Sequence, residues 1–193
     1  MSGTMIVVAP CLLSPYFVYR GARGKDLAAA RGVRELLGRH PGVEVLSYPC
    51  PEFILLGFPR PPATREVYER LGMREAAEKV ATFIARVIGE EHPDRVVLLG
   101  VEGSPTCAAR ITTCGDPDAY PYHLLDEFRG LPKEERIHRA RELSRDFRPA
   151  RRPGILFELL RERVPGTYLD LDKDRLQESL AAFEKAITGA EAC

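Results

Sequence analysis

The sequence has no excess of charge of either sign, because 28 basic and 28 acidic side chains give a formal net charge of zero. Overall charge therefore does not indicate a protein that binds nucleic acid or a membrane, and any electrostatic preference must be local. Long hydrophobic runs are also missing. The first apolar stretch is interrupted by Pro10 and Cys11, has no basic residues before it and is too short to cross a bilayer. We interpret it as a strand rather than a signal or an anchor, and expect a cytoplasmic protein.

Cysteine is scarce, and its number is odd. Five cysteines in 193 residues cannot all pair, and a chain of this size does not need a disulfide scaffold, so a reducing compartment with functional thiols is favoured. The sequence has no C-x-x-C pair of the zinc-finger or thioredoxin kind and no ferredoxin-like run of closely spaced cysteines. Any site that uses these thiols must therefore be assembled by the fold.

Three of the cysteines follow short runs rich in valine, leucine and isoleucine. The runs are Met5–Ala9, Val43–Tyr48 and Val96–Gly100, and the cysteines that follow them are Cys11, Cys50 and Cys107. Such runs are typical of buried strands in a parallel sheet, whose carboxyl ends face one crevice where ligands bind. Three thiols at equivalent strand ends predict a metal or cluster site. The alternative is that they are ordinary small core residues.

Helical periodicity alternates with these strands. Helices are predicted from Lys25 to Leu37 and between Arg74 and Gly89, where apolar residues recur at helical spacing. The prolines that follow Cys50 argue against regular structure through Pro62. The alternation of strand and helix predicts the α/β class, with a single doubly wound, mostly parallel sheet and helices on both faces.

The C-terminal third is more elaborate. The predicted elements are a charged helix over Pro132–Phe147, a helix over Ile155–Val164, a strand over Thr167–Leu171 and a helix over Asp174–Ile187. The length suits one domain, so we predict a single α/β domain over residues 1–193. Within it, residues 1–115 form the core that carries the three cysteines, and residues 116–193 form a divergent C-terminal extension packed on that core.

Cys107 has a local argument of its own. In the segment GSPTC, Ser104 can cap a helix and Pro105 can be its first residue, which places Cys107 in the first helical turn. The helix dipole would favour the thiolate there, and the thiolate is the form that binds metal.

Ordered motifs surround the three cysteines. They are Cys11-Leu12-Leu13 with Tyr19-Arg20-Gly21, then Cys50-Pro51-Glu52 with Phe58-Pro59-Arg60-Pro61-Pro62, then Glu102-Gly103-Ser104-Pro105-Thr106-Cys107. In this order they resemble the thiouracil desulfurase family and its tRNA thiouridine desulfidase relatives. Several distributed blocks are more specific than one short motif.

The resemblance implies a [4Fe-4S] cluster held by Cys11, Cys50 and Cys107, with one iron left open. It also implies non-redox desulfuration, in which the open iron takes the sulfur of a thiolated base, water attacks the carbon and sulfur leaves as hydrosulfide. Glu52 matches the family's general acid/base and Ser104 its hydroxyl partner. For Glu52 the alternative is a solvated loop carboxylate, and for Ser104 it is a capping role alone.

Two arginines in the matching loops are further candidates. Arg20 and Arg60 could orient an anionic substrate or donate hydrogen bonds to a base, because guanidinium offers planar, forked donors. An ordinary surface arginine is the alternative for either. Cys114 is a possible alternate ligand or neighbouring thiol, and Cys193 at the terminus is expected to be disordered.

The sequence favours a thiolated small molecule over tRNA as the substrate. Seven arginines between residues 136 and 152 could follow RNA phosphates, but interleaved acidic residues are typical of a solvated helix. The leading hypothesis is therefore an iron–sulfur desulfurase acting on a thiolated nucleobase, nucleoside or related thioamide. The alternatives are a cluster-bearing sulfur-carrier or binding module without hydrolytic turnover, and a domain with three inert core thiols. The sequence gives no oligomeric state.

Overall fold

The structure is a computed structural model that describes residues 3–189. Its strands are β1 (Thr4–Val8), β2 (Glu44–Ser47), β3 (Arg95–Val101), β4 (Thr112–Cys114), β5 (Arg148–Ala150) and β6 (Thr167–Leu171). Its helices are α1 (Gly24–Arg39), α2 (Pro51–Leu56), α3 (Arg65–Arg70), α4 (Met73–Glu91), α5 (Leu124–Gly130), α6 (Lys133–Leu143), α7 (Ile155–Arg161) and α8 (Leu176–Thr188). Cys193 lies outside the described residues.

Four of the strands form the main sheet, in the order β2-β1-β3-β6, and every neighbouring pair is parallel. Consecutive strand residues point to opposite faces. All residues from Met5 to Val8 are buried, so both faces of the sheet are covered. Helix α1 packs with α8, and α4 packs with α7. The predicted α/β class, with a mostly parallel sheet flanked by helices, is confirmed.

Strand β2 is less buried than its apolar run predicts. It lies at the edge of the sheet and pairs only with β1, and the side chain of Val45 is 45% exposed. The prediction of a buried strand is wrong here, because one flank of an edge strand has no neighbouring strand.

The prediction of irregular structure from Cys50 to Pro62 is also wrong in part. Helix α2 begins at Pro51, where a proline suits the first helical turn because its missing N–H would have no helical partner. The Ile54 amide donates to the Cys50 carbonyl (3.0 Å), and the helix ends at Gly57, which has a φ of 72°. This short helix places the residues directly after Cys50.

The segment after β3 forms turns rather than a helix, so the predicted helix with Cys107 in its first turn is wrong. The carbonyl oxygens that a helix would need accept bonds from other segments. The Thr106 carbonyl accepts from the Leu156 amide (3.0 Å), and the Cys107 carbonyl accepts from the Val101 amide (3.2 Å). Because these acceptors are occupied, no helical ladder forms after Ser104.

Gly100 allows the Cys107 segment to pack directly on β3. A Cβ at this position would overlap the Cys107 carbonyl oxygen and would approach the Phe157 ring to 3.0 Å. We therefore expect Gly100→Ala to lower the free energy of unfolding by about 1–3 kcal/mol, measured by chemical denaturation, because overpacking forces the backbone apart. The matched control is Gly89→Ala in α4, where nothing lies within 4 Å of the added carbon. Equal stability of the two variants would contradict the expectation.

The C-terminal third joins the same hydrophobic core. Strand β6 has the predicted bounds and pairs with β3, and Phe183 of α8 is fully buried in the core that contains Ile6 of β1. The charged segment forms α6, in which only Ala140 is buried. Helix α5 and the antiparallel pair of β4 and β5 were not predicted, because such short elements leave little periodicity. No helix within residues 3–189 is long and apolar enough to cross a membrane.

Candidate functional site

The candidate site lies at the carboxyl ends of β1 and β3. After β1 the chain crosses to β2 on one side of the sheet, and after β3 it crosses to β6 on the other side. In parallel sheets, a crevice opens between two neighbouring strands whose connections lead to opposite sides. A cavity of about 400 Å³ occupies this position. All of the predicted site residues line it: Cys11, Arg20, Cys50, Glu52, Arg60, Ser104 and Cys107.

Each cysteine follows a different strand of the main sheet. Cys11 lies in a 3-10 turn after β1, Cys50 immediately precedes α2, and Cys107 lies in the turns after β3. All three are free thiols; Cys50 and Cys107 are buried, and Cys11 is half-buried. The fold thus brings together three residues that are far apart in the sequence.

Burial raises the pKa of each of these thiols. The pKa of Cys50 rises to about 12, mainly by burial and then by the negative charge of Glu52, while Arg60 opposes the rise. Burial, Cys50 and Glu52 raise the pKa of Cys107 well above its ordinary value. The prediction that a helix dipole favours the Cys107 thiolate is therefore wrong. A bound cation or metal centre would supply the positive charge that thiolates need here.

Cys114 lies apart from the other three cysteines. It belongs to β4 and lines a second cavity of about 980 Å³, beside Glu66 and away from Cys11, Cys50 and Cys107. This placement gives it no part in the first cavity. Within residues 3–189, no group of three or more His, Cys, Asp or Glu side chains is arranged for a single metal ion.

Glu52 is held in a defined position inside the cavity. It lies in the first turn of α2 and is only 9% exposed, so it is not a solvated loop carboxylate. Its Oε2 accepts hydrogen bonds from Nη2 of Arg60 (2.8 Å) and from the hydroxyl of Tyr68 (3.3 Å). Its Oε1 accepts one from the hydroxyl of Thr106 (2.5 Å). The carboxylate is thereby fixed at the cavity wall.

Arg60 is a buried partner of this carboxylate and not a surface residue. It is 3% exposed, and its Nε donates to Glu52 at 3.2 Å. Its remaining donors reach the carbonyls of Gly57 and Phe17 (3.3 Å each) and the Cys50 sulfur (3.9 Å). With these contacts Arg60 positions Glu52 beside Cys50. Its predicted contact with substrate stays a prediction.

Arg20 shares one buried carboxylate with a lysine. Its Nη2 lies 3.3 Å from Asp26, which is 2% exposed, and its guanidinium stacks 4.7 Å above the Tyr19 ring. Lys173 lies 2.7 Å from the other oxygen of Asp26 and also lines the cavity. Two cations against one carboxylate leave one excess positive charge at this part of the wall, and Glu102 adds a negative charge elsewhere in the lining. Lys173 was not predicted as a site residue, although its place two residues after β6 is a strand-end signal.

Ser104 takes part in a chain of hydroxyl groups. Its Oγ accepts hydrogen bonds from the backbone amides of Thr106 (3.3 Å) and Cys107 (3.0 Å), so it orders this turn as a cap would. The same oxygen lies 3.3 Å from the hydroxyl of Thr106, which in turn contacts Glu52. Thr106 was not predicted as a site residue, although it directly precedes Cys107 in the matching block.

Comparisons with known proteins agree with the predicted family. A family model described as "Putative 2-thiouracil desulfurase" matches residues 3–189, a range that includes the C-terminal third. An uncharacterized protein of Methanocaldococcus jannaschii is 32% identical over 110 residues, which are 55% of this chain and 69% of the relative. No solved structure matches the chain. Because the family match extends over nearly the whole chain, the protein belongs to the "Putative 2-thiouracil desulfurase" family.

Proposed function

We propose that this protein is an iron–sulfur-dependent desulfurase that replaces the sulfur of a thiolated nucleobase, nucleoside or related thioamide with oxygen from water. The observation that carries the proposal is the shared cavity. Three thiols from three loops line it together with a buried carboxylate that is fixed by an arginine and a hydroxyl. Burying a charged carboxylate costs free energy even when a partner such as Arg60 offsets part of that cost. Three inert core thiols would give no reason to bury a carboxylate beside them.

The residues present fit a [4Fe-4S] cluster held by Cys11, Cys50 and Cys107. Cysteine thiolates are the usual ligands of such clusters, and these three thiols border one cavity. The buried hydroxyl of Tyr48, which has no hydrogen-bond partner among residues 3–189, also supports the fit, because sulfur of a bound cluster could accept a hydrogen bond from it. When bound, the cluster supplies a Lewis-acidic iron with an open position suited to a soft thiocarbonyl sulfur.

Glu52 is the base for the attacking water. Its Oε2 already accepts from Arg60 and Tyr68, whereas Oε1 accepts only from Thr106 and retains a free lone pair. We assign the proton of water to Oε1, from where it returns to the ring nitrogen or the leaving sulfur. A carbon–oxygen bond forms and the carbon–sulfur bond breaks. The balance is thiocarbonyl plus water to carbonyl plus hydrogen sulfide, with no change of oxidation state.

The remaining polar groups align the substrate and carry protons. The Ser104 hydroxyl reaches Glu52 through Thr106, which gives a proton a path along three side chains. Arg20 and Lys173 place positive charge at the cavity, which suits a substrate that develops negative charge as the thiocarbonyl is attacked, while Glu102 places negative charge in the same lining. We propose a thiolated small molecule as the substrate, with tRNA the less favoured choice. Free thiols suit a reducing compartment, so we also propose that the protein acts in the cytoplasm.

Anaerobic reconstitution tests the proposed function. The purified chain is supplied with iron and sulfide, its iron and acid-labile sulfide are measured, and thiolated bases, nucleosides, nucleotides and thiolated tRNA are assayed for hydrosulfide release. We expect a coloured protein with about four irons per chain and multiple turnovers on at least one small substrate. A colourless, iron-free protein would overturn the proposal. Release of no more than one sulfur per chain would instead identify a sulfur-carrier or binding module.

A further inference from the structure

The hydroxyl group of Tyr48 is buried without a hydrogen-bond partner. Tyr48 follows β2 by one residue, its side chain is only 3% exposed, and its hydroxyl oxygen has no hydrogen-bond partner of normal geometry among residues 3–189. A buried hydroxyl without a partner is unfavourable, since it loses its bonds to water and gains none from the protein. A buried polar atom of this kind calls for an explanation.

The thiols of Cys11, Cys50 and Cys107 are near this hydroxyl. Burial raises the pKa of Tyr48 well above its ordinary value, and the sulfur groups of Cys107, Cys11 and Cys50 raise it further, Cys107 most strongly. A neutral thiol is a weak acceptor of hydrogen bonds. A thiolate bound to metal carries negative charge, and a hydrogen bond to a charged acceptor is stronger.

We propose that the Tyr48 hydroxyl donates a hydrogen bond to sulfur of the bound cluster, at its Cys107 ligand, and thereby sets the reduction potential of the cluster and slows its loss. This inference rests on the proposed cluster at Cys11, Cys50 and Cys107. Hydrogen bonds to cluster sulfur stabilise the reduced form, which carries more negative charge, and so raise the potential. Tyr48 acts through the cluster and is therefore a positioning residue.

The chain offers a matched control for this hydroxyl. Tyr122 also has a buried hydroxyl without a hydrogen-bond partner in the described part of the chain, but its ring packs against Tyr120 (5.2 Å between ring centroids), whereas the neighbours of the Tyr48 hydroxyl are the three thiols. Tyr48→Phe and Tyr122→Phe each remove one such oxygen and leave the ring. Neither oxygen makes a hydrogen bond of normal geometry in the described part of the chain.

The test compares the two variants with and without iron. For iron-free Tyr48→Phe we expect an unchanged or raised melting temperature, because an unpaired buried hydroxyl is lost. For the reconstituted variant we expect a more negative midpoint potential and a loss of iron to a chelator that is faster by about 10–100-fold, as for partners of metal ligands elsewhere. Tyr122→Phe should match the unsubstituted protein in potential and in iron loss.

Each outcome decides the proposal. If Tyr48→Phe matches Tyr122→Phe in potential and iron loss, or if it lowers the melting temperature of the iron-free protein, the assigned hydrogen bond is wrong. If no iron is bound by the unsubstituted protein, both the cluster and this inference fail. If the cluster forms but no substrate is desulfurated, the proposed function fails, while the shift in potential still tests Tyr48.

Discussion

Replacement of Cys107 by alanine is expected to abolish iron binding and desulfuration together. Among residues 3–189, Cys107 provides one of the three thiols at the cavity, and its segment is fixed by the Val101 amide and by contact with Gly100. With two thiols left, a cluster would have two irons without protein ligands and would be lost to solvent. The measurements are iron and acid-labile sulfide after anaerobic reconstitution, followed by the release of hydrosulfide from the best thiolated substrate.

Cys114→Ala is the control for this substitution. Cys114 lines the second cavity beside Glu66, so its loss should leave iron content and turnover unchanged. Circular dichroism of both variants establishes that they are folded. Full iron content in Cys107→Ala, or its loss in Cys114→Ala, would show that the ligands have been assigned incorrectly.

Replacement of Glu52 by glutamine is expected to lower turnover by about 10²–10⁴-fold while the iron content stays the same. The amide keeps the shape of the carboxylate but cannot take a proton from water. The change also leaves Arg60 buried without its charge partner, which costs about 3–5 kcal/mol of stability. Turnover is therefore compared at a temperature at which thermal melts show that the variant is folded.

Tyr68→Phe distinguishes the loss of the carboxylate itself from the loss of one of its hydrogen-bond partners. This change removes one hydrogen bond to Oε2 of Glu52 but keeps the negative charge and the Arg60 contact. A hydrogen bond to a charged group contributes about 1.5–3 kcal/mol, and this one is long at 3.3 Å, so a fall in turnover of roughly tenfold is expected. If Glu52→Gln turns over as fast as Tyr68→Phe, Glu52 is not the base.

Elements with a strong local pattern were predicted well. Helix α4 and strand β6 were predicted from periodicity and apolar runs, and their observed bounds agree closely with the prediction. The supposed helix at Cys107 failed because its carbonyls bond to segments such as Leu156, about fifty residues away in the chain. Local propensity cannot register such partners, since the competing hydrogen bonds exist only after the fold has formed.

Some residues of the candidate site could be predicted from the sequence, and others could not. The three cysteines could be placed together because the ends of parallel strands meet at one edge of the sheet. Thr106 and Tyr48 could not be recognised, because each is significant only through a neighbour distant in sequence: Glu52 for the first and the Cys107 sulfur for the second. Tyr48 had been assigned simply to the end of a strand.

Part of the cavity wall comes from a later part of the chain than the thiols. Ser144, Phe147, Pro149 and Lys173 line it, whereas the cysteines, Glu52 and Thr106 all precede residue 108. Under the proposed function, the residues assigned to the chemistry all precede residue 108, whereas contact with substrate is shared between Arg20 and this later stretch. We therefore expect substitutions between residues 144 and 173 to change which thiolated compound enters the cavity without altering the residues assigned to the chemistry, so that new substrate ranges evolve while the reaction is kept.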